Sequence, residues 1–253
     1  MNLTYLRIDL QRQLRDVANI AFVIGLPVAM YLIFGTTFGA GDESAGHATV
    51  RFYVMASMAV YGASVATTAV AGMAAIELMQ GWGRQIGLTP MRPAGYVATK
   101  VAVALIIAAG GVTAVFVVGA LTGARADAAW IWVATFVIAW LGASLFALYG
   151  LAIAQTFRSE SAVSVAAAGL VLLAFFGNLF VPLSGTILQV ARFTPMYGYA
   201  SLVRYPQLRG QVIDVGGGAS QDPLWWSVAN VVVWAVVFAL VAVWAVRRGR
   251  ARR

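Results

Sequence analysis

The chain has 253 residues, of which 61% are hydrophobic and only 10% charged, with a mean hydropathy of +0.84. A soluble domain carries about 25% charged residues, so a soluble globular protein is excluded. The net charge of +8 does not signal nucleic acid, because the basic residues flank apolar runs and do not form a polar face. The absence of cysteine removes disulfides, thiolate chemistry and Cys-based metal sites.

Residues 1–16 are too polar to span a bilayer. Leu3, Leu6, Leu10, Leu14 and Val17 recur at helical spacing, which predicts an amphipathic helix lying in the membrane interface, with Arg12 and Asp16 spaced for an i,i+4 pair. Six apolar runs follow, at about 17–38, 52–76, 101–121, 128–154, 161–181 and 224–246. Each approaches or exceeds the roughly 20 residues needed to cross a bilayer core. The expected fold is an all-α integral membrane protein forming a single domain. Pro27 falls inside the first run, a tolerated position in a membrane helix.

Six crossings place both termini on one side. With that side cytoplasmic, 12 basic residues lie inside and 5 outside, so the positive-inside rule selects this orientation. The tail RRGRARR, directly after an apolar helix, reads as a topology anchor meeting anionic lipid.

Catalytic motifs fail individually. Lys100 is the only lysine and is followed by Val101, so the chain has no phosphate-binding P-loop. The single histidine, His47, lies in a polar loop and cannot form a two-histidine metal motif; no metal site is expected. The six apolar cores read as free of ionisable groups, which disfavours ion-coupled transport, and Glu77 at the end of the second run comes closest.

Two segments exceed what topology requires. Residues 77–100 read ELMQGWGRQIGLTPMRPAGYVATK, polar, glycine-broken and bounded by Pro90 and Pro93. Such a stretch has room for a short amphipathic helix able to dock on a partner. Residues 182–208, PLSGTILQVARFTPMYGYASLVRYPQL, are too apolar for an exposed loop, and their pieces are too short to cross again. A pair of short re-entrant helices satisfies both constraints.

The order Glu77, Gly81, Trp82, Arg84, Gln85, Ile86, Thr89, Pro90 and Met91 resembles the loop between the second and third spans of type-2 ABC exporter permeases, especially the small drug- and antibiotic-export group. That resemblance implies a coupling helix over 77–92, with Glu77, Trp82, Arg84 and Gln85 facing a separate ATP-binding subunit. Pro182, Leu183, Pro195, Tyr197 and Arg204 resemble the family's outer re-entrant element. It further implies two permease copies (a homodimer or close paralogues), two ATPase subunits carrying ATP and Mg, and a bacterial cytoplasmic membrane. No cofactor is expected in this chain.

Phe136, Trp140, Phe146, Tyr149, Phe175 and Phe176, with Asn178 as a polar handle, are candidates for the wall of a pathway for an amphiphilic or hydrophobic substrate. An ion-coupled secondary carrier, or an intramembrane enzyme or scaffold, remain as alternatives.

Overall fold

The computed structural model describes residues 3–36, 41–81, 92–157, 159, 161–213 and 220–251. Helix α1 (Leu3–Arg15) leads into α2 (Val17–Thr36). A two-residue hairpin, β1 (Ser44–Ala45) and β2 (Ala48–Thr49), pairs Ser44 with Thr49 and Ala45 with Ala48, and feeds α3 (Val50–Met79). The long helix α4 (Pro93–Leu121) follows, then α5 (Ala129–Gly142), α6 (Ser144–Phe157) and α7 (Ser161–Phe176). Two short helices, α8 (Gly185–Ala191) and α9 (Pro195–Leu208), precede a second antiparallel hairpin, β3 (Gln211–Val212) and β4 (Ser220–Gln221). Helix α10 (Leu224–Ala251) completes the described chain. The two small hairpins are the only departure, among the described residues, from the all-α expectation.

Five helical stretches are long and apolar enough to cross a membrane: Val17–Thr36, Val50–Glu77, Ala94–Leu121, Ala129–Phe157 and Leu224–Arg248. Helix α7 is apolar but has 16 residues, shorter than the expected run 161–181. It stops because Gly177 and Asn178 follow, the latter in the left-handed region at φ 56°. The expected loop 77–100 is also invaded from both sides. Helix α3 runs to Met79, and α4 begins at Pro93, whose ring fits the first helical turn where no N–H is required, with Arg92 extended before it. Lys100 therefore sits two turns inside α4 and does not close a loop.

Helix α3 forms the centre of the bundle and is largely buried, whereas α2 and α10 present most of their surface outward. Close approach to α3 depends on small residues. Pro27 of α2 packs against Gly62 of α3, where a Cβ would lie 2.5 Å from the proline Cγ. Gly150 of α6 lies against the α3 backbone, where a Cβ would be 2.7 Å from the Thr68 carbonyl oxygen. Edge-to-face rings fill the larger gaps, with Trp132 4.9 Å from Phe52 and 5.9 Å from Phe116 between centroids.

The bundle has two chemically different ends. At one end lie α1, the end of α3 and the start of α4. At the other, the hairpin end, Arg51 donates to the Thr122 carbonyl at 2.8 Å, and Gln207 of α9 donates to the Ala45 carbonyl at 2.9 Å. These bonds tie the start of α3 to the end of α4, and the first hairpin to α9.

Candidate functional site

Helix α1 turns its polar face inward. Asp9 and Gln13, one turn apart, are buried, while Leu3, Leu14 and Val17 are exposed, and Leu6 and Leu10 rest on the core. The exposed apolar residues suit a helix lying in an interface. The buried polar residues meet a counterpart. Lys100 is fully buried, and its Nζ donates to both Asp9 oxygens, at 3.0 and 2.9 Å, and to Glu77 Oε1 at 2.6 Å. Arg12 Nη2 donates to Glu77 Oε1 and, at 3.3 Å, to Asp9 Oδ1. The rings of Tyr5 and Tyr96 lie 5.8 and 5.9 Å from the ammonium, within cation–π range.

Two carboxylates and two cations sum to no net charge. Buried charges persist only when paired and hydrogen-bonded, and here each acid accepts from both cations. Burial followed by Glu77 and Asp9 raises the Tyr5 pKa, so its phenol stays protonated. Burial alone would lower the Arg12 pKa, but attraction and hydrogen bonding to Glu77, then Asp9, outweigh it and raise the value. The cluster is a set of four paired charges. It fastens α1, α3 and α4 together immediately beside both arms of the stretch 80–92.

This corrects two sequence expectations. Arg12 bonds to Asp9 and Glu77 and not to Asp16, which instead accepts from the Asn19 backbone N–H at 3.1 Å. The helices also extend past the apolar runs 52–76 and 101–121, so that Glu77 lies within α3 and Lys100 within α4, both buried. Their pairing is not legible in the sequence, because each stands at the edge of an apolar run, where charges ordinarily belong to loops. Asp9, 91 residues from Lys100, carries no local signal of its partner. The one available hint is that a chain with 16 arginines keeps a single lysine.

Of the coupling residues, Glu77 is in this cluster, while Trp82, Arg84 and Gln85 lie outside the described residues. Toward the hairpin end, α8 and α9 occupy the segment 182–208. Pro195 starts α9, capped by the Thr194 hydroxyl, which accepts from the Tyr197 N–H. Tyr197 donates to Asp222 at 2.6 Å, and Arg192 pairs with the other Asp222 oxygen at 2.9 Å. Arg204 is buried, donating to the Ser57 hydroxyl and the Asn178 carbonyl. Pro182 lies between α7 and α8 without regular structure.

The seven candidate wall residues are scattered. Phe146 and Tyr149 are buried, 5.9 Å apart, with the Tyr149 hydroxyl donating to the Ala166 carbonyl. Phe136 meets Phe116 edge to face, and Trp140 donates to the Leu105 carbonyl at 2.9 Å. Phe175 and Phe176 are exposed on α7. Asn178 alone among the seven lines the cavity of about 30 Å³ beside Arg204. Among the described residues, no cluster of three or more histidine, aspartate or glutamate side chains is placed to hold a metal ion.

Apolar helices of spanning length around a buried central helix, with charges paired at one end, define a multi-pass membrane protein. The family model for the ABC-2 type transporter matches residues 3–208, from α1 through α9, and the chain belongs to that family, whose members supply the membrane domain of a transporter. No curated protein matches the chain.

Proposed function

We propose that this chain is the permease subunit of an ATP-driven exporter, moved by a separate ATP-binding subunit that docks on residues 77–92. The observation that supports this reading is the ion-pair cluster. It fixes the last turn of α3 and the second turn of α4, the two arms of the docking stretch, to α1. Force applied to that stretch would then move three helices as one unit, without unpairing a buried charge. Two such permeases, with two ATPase subunits holding ATP and Mg, would enclose a pathway at their interface. The termini would face the cytoplasm of a bacterial cell, α8 and α9 would form the outer re-entrant element, and the cargo would be an amphiphilic or hydrophobic molecule.

Co-purification with the ATPase subunit and substrate-stimulated ATP hydrolysis test this reading. Trp82→Ala combined with Arg84→Ala removes an aromatic and an arginine, the residue types that dominate contacts. ATPase-subunit affinity should fall about 30-fold, equivalent to about 2 kcal/mol, at equal membrane abundance. Unchanged affinity and transport would overturn the docking assignment. The buried Lys100 with two carboxylates also suits an ion relay, the basis of the second reading, a secondary carrier. Proteoliposomes holding this chain alone should show no uptake driven by a proton gradient; uptake would favour the carrier.

A further inference from the structure

Every charge in the α1-end cluster has an opposite partner, but Arg204 has none among the described residues. Its guanidinium is buried in α9, and no carboxylate oxygen of the described residues lies within 4.0 Å of it. Its hydrogen bonds go to neutral acceptors. Nε and Nη2 donate to the Ser57 hydroxyl at 3.2 and 2.7 Å, and Nη2 also donates to the Asn178 carbonyl at 2.9 Å. The Tyr53 ring lies 4.4 Å from Cζ. These contacts orient the guanidinium but leave its charge uncancelled.

The side chain borders a cavity of about 30 Å³ lined by polar and apolar groups alike, the polar ones including Asn178, Ser201, Tyr205 and Gln211. That volume accommodates about two water-sized atoms, and the cavity opens to the surface, so two oxygens of a larger group can enter while the rest of it stays outside. Asp222 also lines it, but Arg192 and Tyr197 occupy its two oxygens, so its charge is already balanced. The remaining charge of the lining is that of Arg204. A planar guanidinium beside a two-atom space matches a group presenting two oxygens on one negative charge.

We propose that Arg204 and this cavity form an anion site for a two-oxygen monoanion of the phosphate class, taken either from a lipid phosphodiester or from free phosphate. The bound anion would supply the missing counter-charge and lock α9 against α3 and the second hairpin. The site is independent of which energy source drives transport.

The test uses purified full-length chain in uncharged detergent at fixed ionic strength. Inorganic phosphate, dihexanoyl phosphatidylglycerol and neutral dihexanoylglycerol are titrated while thermal unfolding is followed. Phosphate or the phosphatidylglycerol should raise the midpoint saturably, by about 5–10 °C at a hundred times the dissociation constant, and the neutral glyceride should not. At least tenfold tighter binding of the phosphatidylglycerol identifies a lipid source; the reverse identifies the free anion.

Arg204→Gln should lose the response. Ser201→Asp places a carboxylate one turn from Arg204, and should abolish the response while keeping the protein at least as stable without anion. The second variant decides the matter should the first fail to fold. A saturable response retained in Ser201→Asp would overturn the proposal, as would no response of the wild type to either anion, the result expected of a cavity holding only water. Asp214 follows the lining residue Ile213 in sequence and lies outside the described residues; a response gained only in Asp214→Asn would also overturn the proposal, because the chain would then supply its own counter-charge.

Discussion

The two ends of the bundle solve the same problem differently. At the α1 end, Lys100 is buried and satisfied entirely by the chain's own acids, Asp9 and Glu77. At the hairpin end, Arg204 is equally buried but rests on a hydroxyl, a carbonyl and an aromatic face. A neutral cluster with every charge paired is suited to transmitting force, even with Glu77 Oε2 left without a hydrogen-bond partner among the described residues. A cation with neutral partners is suited to responding to a ligand. The difference places the closed element beside the proposed docking stretch, and the adjustable one at the opposite end.

The largest expected effect breaks the closed end. Lys100→Met leaves two carboxylates buried with Arg12 alone, and loss of one member of a buried pair costs about 3–5 kcal/mol. Membrane abundance and unfolding temperature should both fall. Adding Asp9→Asn should restore part of the loss, because one uncompensated charge is then removed. A double-mutant cycle on Asp9 and Lys100 with zero coupling would show that the cluster is not a unit.

The second effect concerns how the ends communicate. Helix α3 carries both Ser57 and Glu77, and α6 packs on it through Gly150. Gly150→Ala places a methyl against backbone at Thr68, which cannot rotate away. Overpacking of this kind costs about 1–3 kcal/mol. Thermal unfolding measures the cost, and a neutral substitution would mean that the α3–α6 contact yields easily.

A smaller effect isolates the balanced part of the hairpin end. Tyr197→Phe removes the bond to Asp222 while Arg192 still neutralises the acid. A loss of about 0.5–1.5 kcal/mol is expected in thermal unfolding. A much larger loss would make Tyr197, and not Arg192, the main support of that carboxylate.

The membrane character, the approximate helices, the amphipathic first helix and the family were all legible in sequence, because hydropathy and loop motifs are local properties. The charge cluster was not. Lys100 ended an apolar run and Glu77 ended another, so both resembled flanking residues. Only the packing of α1 across α3 and α4 reveals that the flanks face one another. Arg204 was singled out through the outer-segment motif, yet its lack of a carboxylate among the described residues could be seen only once Ser57 and Asn178 were in place around it. The extra helical turns before Lys100 could have been read from Pro93, a favoured first-turn residue.

The smallest effect lies within the closed cluster and tests whether burial or charge count sets its strength. Arg12 and Lys100 bond to the same two acids, but the Arg12 side chain is 39% exposed and that of Lys100 is fully buried. Solvent screens the arginine, so its pairs resemble surface salt bridges, worth about 0.2–1 kcal/mol. Arg12→Gln should therefore cost no more than about 1 kcal/mol in thermal unfolding, several-fold less than Lys100→Met. Its pKa is raised by folding, so its contribution is present below the ordinary arginine value and is lost only as pH rises through the still higher folded value. The difference between wild type and Arg12→Gln should consequently stay constant from pH 6 to 9. If Arg12→Gln proved as damaging as Lys100→Met, neutrality of the whole set would matter more than the burial of any one member, and the cluster would have to be treated as four inseparable charges, not as a buried lysine with an exposed auxiliary.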